Sequence, residues 1–101
     1  MARSLQDLLG QRLVAVIAGV ADAKAVGKWA RRTRSPHPDA ERRLRNAFHV
    51  AQLLLTTESA ETVRAWFVGL NPELGDRPPA DVLAEDPAGV LRAARTFLAH
   101  G

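Results

Sequence analysis

Side chains that could perform catalysis are scattered along this chain rather than grouped. His37 lies between two prolines, His49 lies in a long helical pattern, and His100 lies at the end of the final one. Neither His49 nor His100 has a histidine or carboxylate three or four positions away, which is the spacing of a helical metal site. The acidic residues at positions 81–86 are explained by helix capping and solvation. We therefore expect no enzymatic activity, no metal and no cofactor.

Basic side chains are concentrated in the first half of the chain. Residues 1–58 hold ten Lys and Arg against five Asp and Glu, whereas residues 59–101 hold four against six. Seven of the basic residues lie close together: Lys28, Arg31, Arg32, Arg34, Arg42, Arg43 and Arg45. Such a segment favours a polyanion through phosphate contacts and counterion release. A solvated helix face would have the same composition, and charge alone does not separate the two interpretations.

The overall composition is that of one globular protein. Of the 101 residues, 47% are hydrophobic and 25% are charged, and there is no cysteine, which fits a reducing cytoplasm. Five aromatic residues without tyrosine argue against a stacking surface for single-stranded nucleic acid. The longest weakly polar run, residues 13–21, is shorter than the span of about 20 residues that crosses a membrane. We expect a soluble, cytoplasmic protein.

Helix signals organise the first half, which we assign to residues 1–58. Ser4 and Asp7 form a capping box that predicts a first helix from Ser4. Gly10 leaves open whether residues 13–18 continue that helix or form a second one. A turn at Gly19-Val20 then precedes a third helix, roughly residues 23–32, with Asp22 as its N-cap. Its predicted inward residues are Ala25, Val26 and Trp29.

Pro38 predicts the start of the longest helix, which runs to about Thr56 and places His49 at its boundary. Its apolar stripe consists of Leu44, Ala47, Phe48, Ala51, Leu54 and Leu55. Thr57 or Ser59 caps the next helix, which reaches Val68 and buries Val63, Trp66 and Phe67. A short helix follows at residues 79–84, and Asp86-Pro87 opens the last one. Because no strand alternation occurs, the predicted fold is all-α, with residues 59–101 as its second region.

The loop at residues 71–79 is the most unusual segment. Three prolines and one glycine restrict or redirect its backbone, which predicts a loop of one fixed shape. Leu74, Arg77 and Pro78 are the candidate binding residues: an apolar side chain, a fork of donors and a stiff ring. Alternatively, Leu74 fills the core and Arg77 caps a helix carbonyl.

Residues 66–101 carry short motifs in a distinctive order: a Trp, then Leu-Asn-Pro, Leu, Arg-Pro, Asp-Val-Leu and two spaced glycines. This order resembles the toxin-binding domain of the Xre/MbcA/ParS antitoxins, small bacterial proteins that neutralise RES-domain toxins, which destroy NAD. The resemblance implies a RES-domain toxin as partner, with the chain's last residues approaching the toxin's NAD cleft. It implies a toxin-binding set made of Leu74, Arg77, Pro78, Arg92, Arg95, Phe97, His100 and Gly101.

The turn at Gly19-Val20 and the following helix resemble the helix-turn-helix of Xre-type regulators, whose second helix faces the major groove. The outward residues of that helix would be Asp22, Lys24, Gly27, Lys28 and Arg31. The candidate DNA-binding residues are Lys24, Lys28, Arg31, Arg32 and Arg34. The resemblance thus implies an antitoxin that also binds its operator DNA, as a homodimer or a hetero-oligomer with the toxin. The alternatives are a helical hairpin that serves only as a scaffold, and a stand-alone regulator that dimerises through its C-terminal region.

Overall fold

The computed structural model describes residues 1–100, and in that part of the chain the regular elements are helices. They make up 71% of the structure, which confirms the predicted all-α fold. The α-helices are α1 (Ala2–Leu9), α2 (Gln11–Ala18), α3 (Lys24–Ala30), α4 (Pro38–Leu55), α5 (Ala60–Val68), α6 (Pro79–Val82) and α7 (Pro87–His100), and a 3₁₀ helix lies at Pro72–Leu74. None of these helices is both long enough and apolar enough to cross a membrane.

The chain forms two compact units, unit 1 at residues 1–48 and unit 2 from residue 49 onward. The division falls inside α4, whereas the regions predicted from sequence meet after it, at residues 58 and 59. The reason is that α4 supplies buried apolar residues along its whole length: Ala40, Leu44, Ala47, Val50, Ala51 and Leu54. Four of the six residues predicted for the apolar stripe of α4 are buried, namely Leu44, Ala47, Ala51 and Leu54, whereas Phe48 and Leu55 are half-buried. His49, predicted as a boundary residue, is exposed.

The start of α1 differs from the prediction. The helix begins at Ala2 with Met1 as its N-cap, and no side chain caps it, so the predicted capping box at Ser4 is wrong. The Leu5 N–H already bonds to the Met1 carbonyl (3.0 Å), which places Ser4 inside the first turn. Gly10 ends α1 at a φ of +85°, so α2 is a separate helix.

The turn between α2 and α3 follows the sequence prediction. Gly19 ends α2 in the left-handed conformation, and the Arg43 guanidinium donates to the neighbouring Ala18 carbonyl at 3.2 Å. The Asp22 carboxylate accepts from the Lys24 N–H at 2.9 Å, but α3 begins at Lys24 with Ala23 as its N-cap and no side-chain cap, so the N-cap predicted at Asp22 is wrong. However, α3 is shorter than predicted, because Arg32 adopts a left-handed φ of +61° just after it.

Two predicted orientations on α3 need correction. Gly27 was predicted to face outward, but it is buried, and a Cβ at this position would lie 2.8 Å from the Gln11 amide nitrogen. A larger side chain at this position would displace the Gln11 amide, which packs over Gly27. Ala25, predicted inward, is half-buried, whereas Val26 and Trp29 are buried as predicted.

In unit 2, α5 and α7 are capped by side chains, whereas α6 begins without a side-chain cap. Ser59, rather than Thr57, caps α5, since its hydroxyl accepts from the Thr62 N–H at 3.2 Å. The Asp86 carboxylate accepts from the Gly89 N–H at 2.9 Å and so caps α7. The core residues of these helices are Val63, Trp66, Phe67, Val82, Leu83, Val90, Ala93 and Ala94.

Candidate protein-binding site

The loop between α5 and α6 is organised around Asn71. Its side-chain oxygen accepts from the Glu73 N–H at 3.0 Å, which caps the 3₁₀ helix. Its carbonyl accepts from both the Leu74 and the Asp76 N–H groups, each at 2.9 Å. Asn71 thus holds the backbone at positions 73, 74 and 76, the first through its short polar side chain and the other two through its carbonyl.

The same loop is closed by a backbone bridge. The Asn71 N–H donates to the Arg77 carbonyl at 3.3 Å, as an isolated antiparallel pair. Between these residues, Gly75 and Asp76 both take left-handed conformations, with φ of +67° and +61°. The chain then passes through extended Pro78 into buried Pro79, the first residue of α6. The fixed shape predicted from the prolines and the glycine is therefore supported by hydrogen bonds as well.

Arg77 lies on the surface of this loop. Its guanidinium contacts the Glu85 carboxylate at 2.8 Å, and both side chains are exposed. The hydrogen bond from Arg77, together with its charge, lowers the pKa of Glu85, and the same bond raises the pKa of Arg77. Arg77 thus bonds to a carboxylate, not to a helix carbonyl. Leu74 is half-buried, so it neither fills the core completely nor is fully exposed as a binding residue.

An apolar groove of about 290 Å³ lies beside the loop. It is formed by residues of α5, the loop and α7: Trp66, Gly69, Leu70, Asn71, Pro72, Glu73, Ala93, Thr96 and Phe97. The Trp66 and Phe97 rings, 6.5 Å apart between centroids, supply aromatic surface to it. Trp66 also meets Phe67 edge to face at 5.3 Å, so its ring is held in place from the core side.

Leu70 at the edge of this groove is 73% exposed, the most exposed large apolar side chain in the described part of unit 2. It was absent from the predicted site, as were Trp66 and Asn71. Leu70 directly follows Gly69, whose N–H closes the last turn of α5 onto the Ala65 carbonyl. The sequence signal was available: an apolar residue placed between a helix-ending glycine and an Asn-Pro turn has no regular element to bury it.

The residues predicted on α7 differ in exposure. Arg92, Arg95 and His100 are exposed, and neither arginine forms an ion pair with any described residue. Phe97 is half-buried and lines the groove. The structure therefore brings Phe97 together with the loop through the groove. Gly101, the last predicted residue, lies outside the described residues.

The basic segment of unit 1 divides into two groups. Arg42 and Arg45 pair with Asp39 and Glu41 at 3.0 Å each, and Arg43 bonds to a backbone carbonyl, so α4 matches the solvated-face interpretation. The five predicted DNA-binding residues are exposed, and none has an acidic partner among the described residues: Lys24, Lys28, Arg31, Arg32 and Arg34. These side chains remain available to a polyanion.

Residues 1–100 contain no group of three or more His, Cys, Asp and Glu side chains that could hold a metal ion. His37 instead accepts a hydrogen bond from the Asp39 N–H through Nδ1, at 3.3 Å, and so acts locally at the start of α4.

The fold and the groove define a small all-α protein with an apolar groove beside a hydrogen-bonded loop. Comparisons with protein-family models, with curated proteins and with solved structures gave no match to this chain. Its function must therefore be inferred from the site.

Proposed function

We propose that this chain is an antitoxin whose unit 2 binds a RES-domain, NAD-degrading toxin and blocks it. The observation that carries the proposal is Leu70, 73% exposed at the edge of an apolar groove whose backbone frame is already fixed. Large apolar side chains exposed beside a groove are typical of surfaces that another protein covers. The choice of a RES-domain toxin as the partner rests on the motif order from Trp66 onward, which resembles the antitoxins' toxin-binding domain.

The loop geometry supports tight binding. A loop whose hydrogen bonds exist before contact loses little conformational entropy when a partner binds, so its contacts contribute more fully to affinity. The Asn71 bonds and the left-handed pair at Gly75 and Asp76 give this loop such a frame. Leu70 and Phe97 would then fill apolar sites on the toxin, in the manner of interface anchors.

The charges on α7 support the proposed mode of inhibition. Arg92 and Arg95 are exposed and have no acidic partner in the described chain, so their guanidinium groups remain free to bind carboxylates or phosphates. The residues that hold the pyrophosphate of NAD are themselves donors and cations, so the two arginines would instead pair with carboxylates or carbonyl oxygens at the rim of the cleft. Blocking would follow from α7 lying across the entrance of the NAD cleft.

A second function, operator binding, is favoured by the unpaired basic residues on and after α3. Their exposure next to the Gly19 turn suits contacts to DNA phosphates. As part of the antitoxin proposal, this surface would repress the operon. On its own, it would make the chain a stand-alone regulator that dimerises through unit 2.

Co-expression with the RES-domain protein encoded by a neighbouring gene tests the proposal. Wild type should restore growth and cellular NAD, and Leu70→Asp should abolish protection. Val68→Asp, at an exposed apolar position outside the groove, should retain it. A triple Ala variant of Lys28, Arg31 and Arg32 should keep protection while losing DNA binding. Immunoblots confirm equal protein levels. Protection by Leu70→Asp would show that the groove is not the toxin-binding surface, whereas loss of protection in the triple variant would favour the regulator.

A further inference from the structure

Asp76, in the loop between α5 and α6, has a backbone conformation that favours glycine. Its φ is +61°, directly after Gly75 at +67°. Five residues in the described part of the chain have a positive φ, and three of them are glycines. A Cβ disfavours this conformation, although aspartate tolerates it better than most residues do. The presence of a carboxylate at position 76 therefore needs a reason other than the path of the backbone.

The side chain of Asp76 does not supply that reason within the fold. Aspartate and asparagine in turns commonly bond to a nearby backbone group, as Asn71 and Asp86 do in this unit at 3.0 and 2.9 Å. Asp76 is exposed, and its carboxylate has neither a hydrogen bond nor an ion pair with a described residue. Only its N–H holds the loop, by donating to the Asn71 carbonyl at 2.9 Å. Any residue except proline could form that bond.

The position of Asp76 is next to the proposed binding surface. The 3₁₀ helix at Pro72–Leu74 precedes it, and Pro72 and Glu73 of that helix line the groove. A protein that covers Leu70 and the groove therefore lies beside this loop. An apolar centre surrounded by polar and charged groups is the usual arrangement of a protein interface.

We infer that the Asp76 carboxylate is a contact residue for the toxin and pairs there with a guanidinium or ammonium group. The inference rests on the toxin binding proposed above and adds the chemistry of one contact to it. An ionised carboxylate only accepts hydrogen bonds, and its strongest donors are cations. Because the backbone of the loop is bonded before contact, the carboxylate loses little conformational entropy when it pairs.

Two substitutions separate this contact from a role in the fold. Asp76→Gly supplies the residue that the backbone favours, and Asp76→Asn removes the charge while keeping a side chain that tolerates a positive φ. Neither should lower the urea midpoint of the full chain. Both should raise the Kd for the purified RES-domain toxin by about fivefold or more in isothermal titration at low salt. A lowered midpoint would show that the side chain stabilises the loop, which overturns the inference.

A matched control and a salt series test whether charge is the cause. Glu61→Gln removes the charge of an exposed acidic residue of α5 that does not line the groove, so its Kd should stay within about twofold of wild type. Added NaCl should narrow the difference between wild type and Asp76→Asn, because salt screens an ion pair at the edge of an interface. An equal loss in Glu61→Gln would reflect net charge alone and would overturn the contact.

Leu70→Asp, measured in the same titrations, separates this inference from the proposed function. If wild type binds, Leu70→Asp does not, and Asp76→Asn binds as tightly as wild type, the Asp76 contact is overturned and the groove proposal stands. If wild type does not bind the toxin, both are overturned. Weaker binding in both Leu70→Asp and Asp76→Asn, with Glu61→Gln near wild type, is the result that we expect.

Discussion

Truncating Leu70 to alanine tests the groove with a magnitude taken from the structure. Full burial of a leucine side chain contributes roughly 1.5–3 kcal/mol, and each methylene about 0.8 kcal/mol. Leu70 is 73% exposed in the free protein, so most of that contribution is available for a partner to gain. Loss of three carbons should therefore weaken toxin binding by about 1–2 kcal/mol, a Kd about five- to thirtyfold higher.

Isothermal titration of the purified toxin with each variant measures this change. Val68→Ala is the matched control, because Val68 is an exposed apolar residue (53%) that does not line the groove. It should stay within about twofold of wild type. The urea midpoints of both variants should match wild type, since both side chains are exposed. Equal Kd values for Leu70→Ala and wild type, or an equal loss in the control, would refute the groove as the binding surface.

Three further predictions concern the frame of the site. Gly75→Ala should lower the free energy of unfolding by about 1–2 kcal/mol in urea denaturation, because φ is +67° there although no atom would clash; an unchanged midpoint contradicts this. Asp86→Ala should cost about 1 kcal/mol through the lost cap of α7, with exposed Asp81→Ala near neutral in the same denaturation. Arg77→Ala should return the pKa of Glu85 to its ordinary value in a ¹³C-detected titration. Because the pKa of Glu85 is lowered in the fold, the ion pair stabilises the folded state fully above the ordinary Glu pKa. That stabilisation is lost as the pH falls through the lowered pKa. A Glu85 titration that is the same in wild type and Arg77→Ala argues against the pair.

Helix starts with local chemical signals were predictable from sequence. Pro38, Ser59 and Asp86 each lie where the structure begins a helix, since caps and first-turn prolines act through neighbouring backbone groups. The start of α1 was missed, because a helix can begin without a side-chain cap. The burial of Gly27 was also missed, since it depends on how closely α3 approaches Gln11 of α2, a distance that local sequence does not contain.

The candidate site was predicted only in part, because local signals indicate the loop but not the packing around it. The prolines and glycine predicted a fixed loop, and the structure adds the Asn71 hydrogen bonds and a left-handed Asp76 that composition does not indicate. The groove itself could not be predicted, because Trp66 and Phe97 come from different helices and meet only through packing. The roles of Arg92, Arg95 and His100 in binding stay predictions that follow from the family resemblance.

Hydrogen exchange of the chain, alone and with the RES-domain toxin, tests the central claim most directly, because it locates the covered surface along the backbone. The account predicts slower exchange on binding at residues 66–77 and 92–100, and unchanged exchange at residues 24–34. Protection confined to residues 24–34, or no protection at the loop and α7 in a mixture that contains the toxin at saturating concentration, would contradict it.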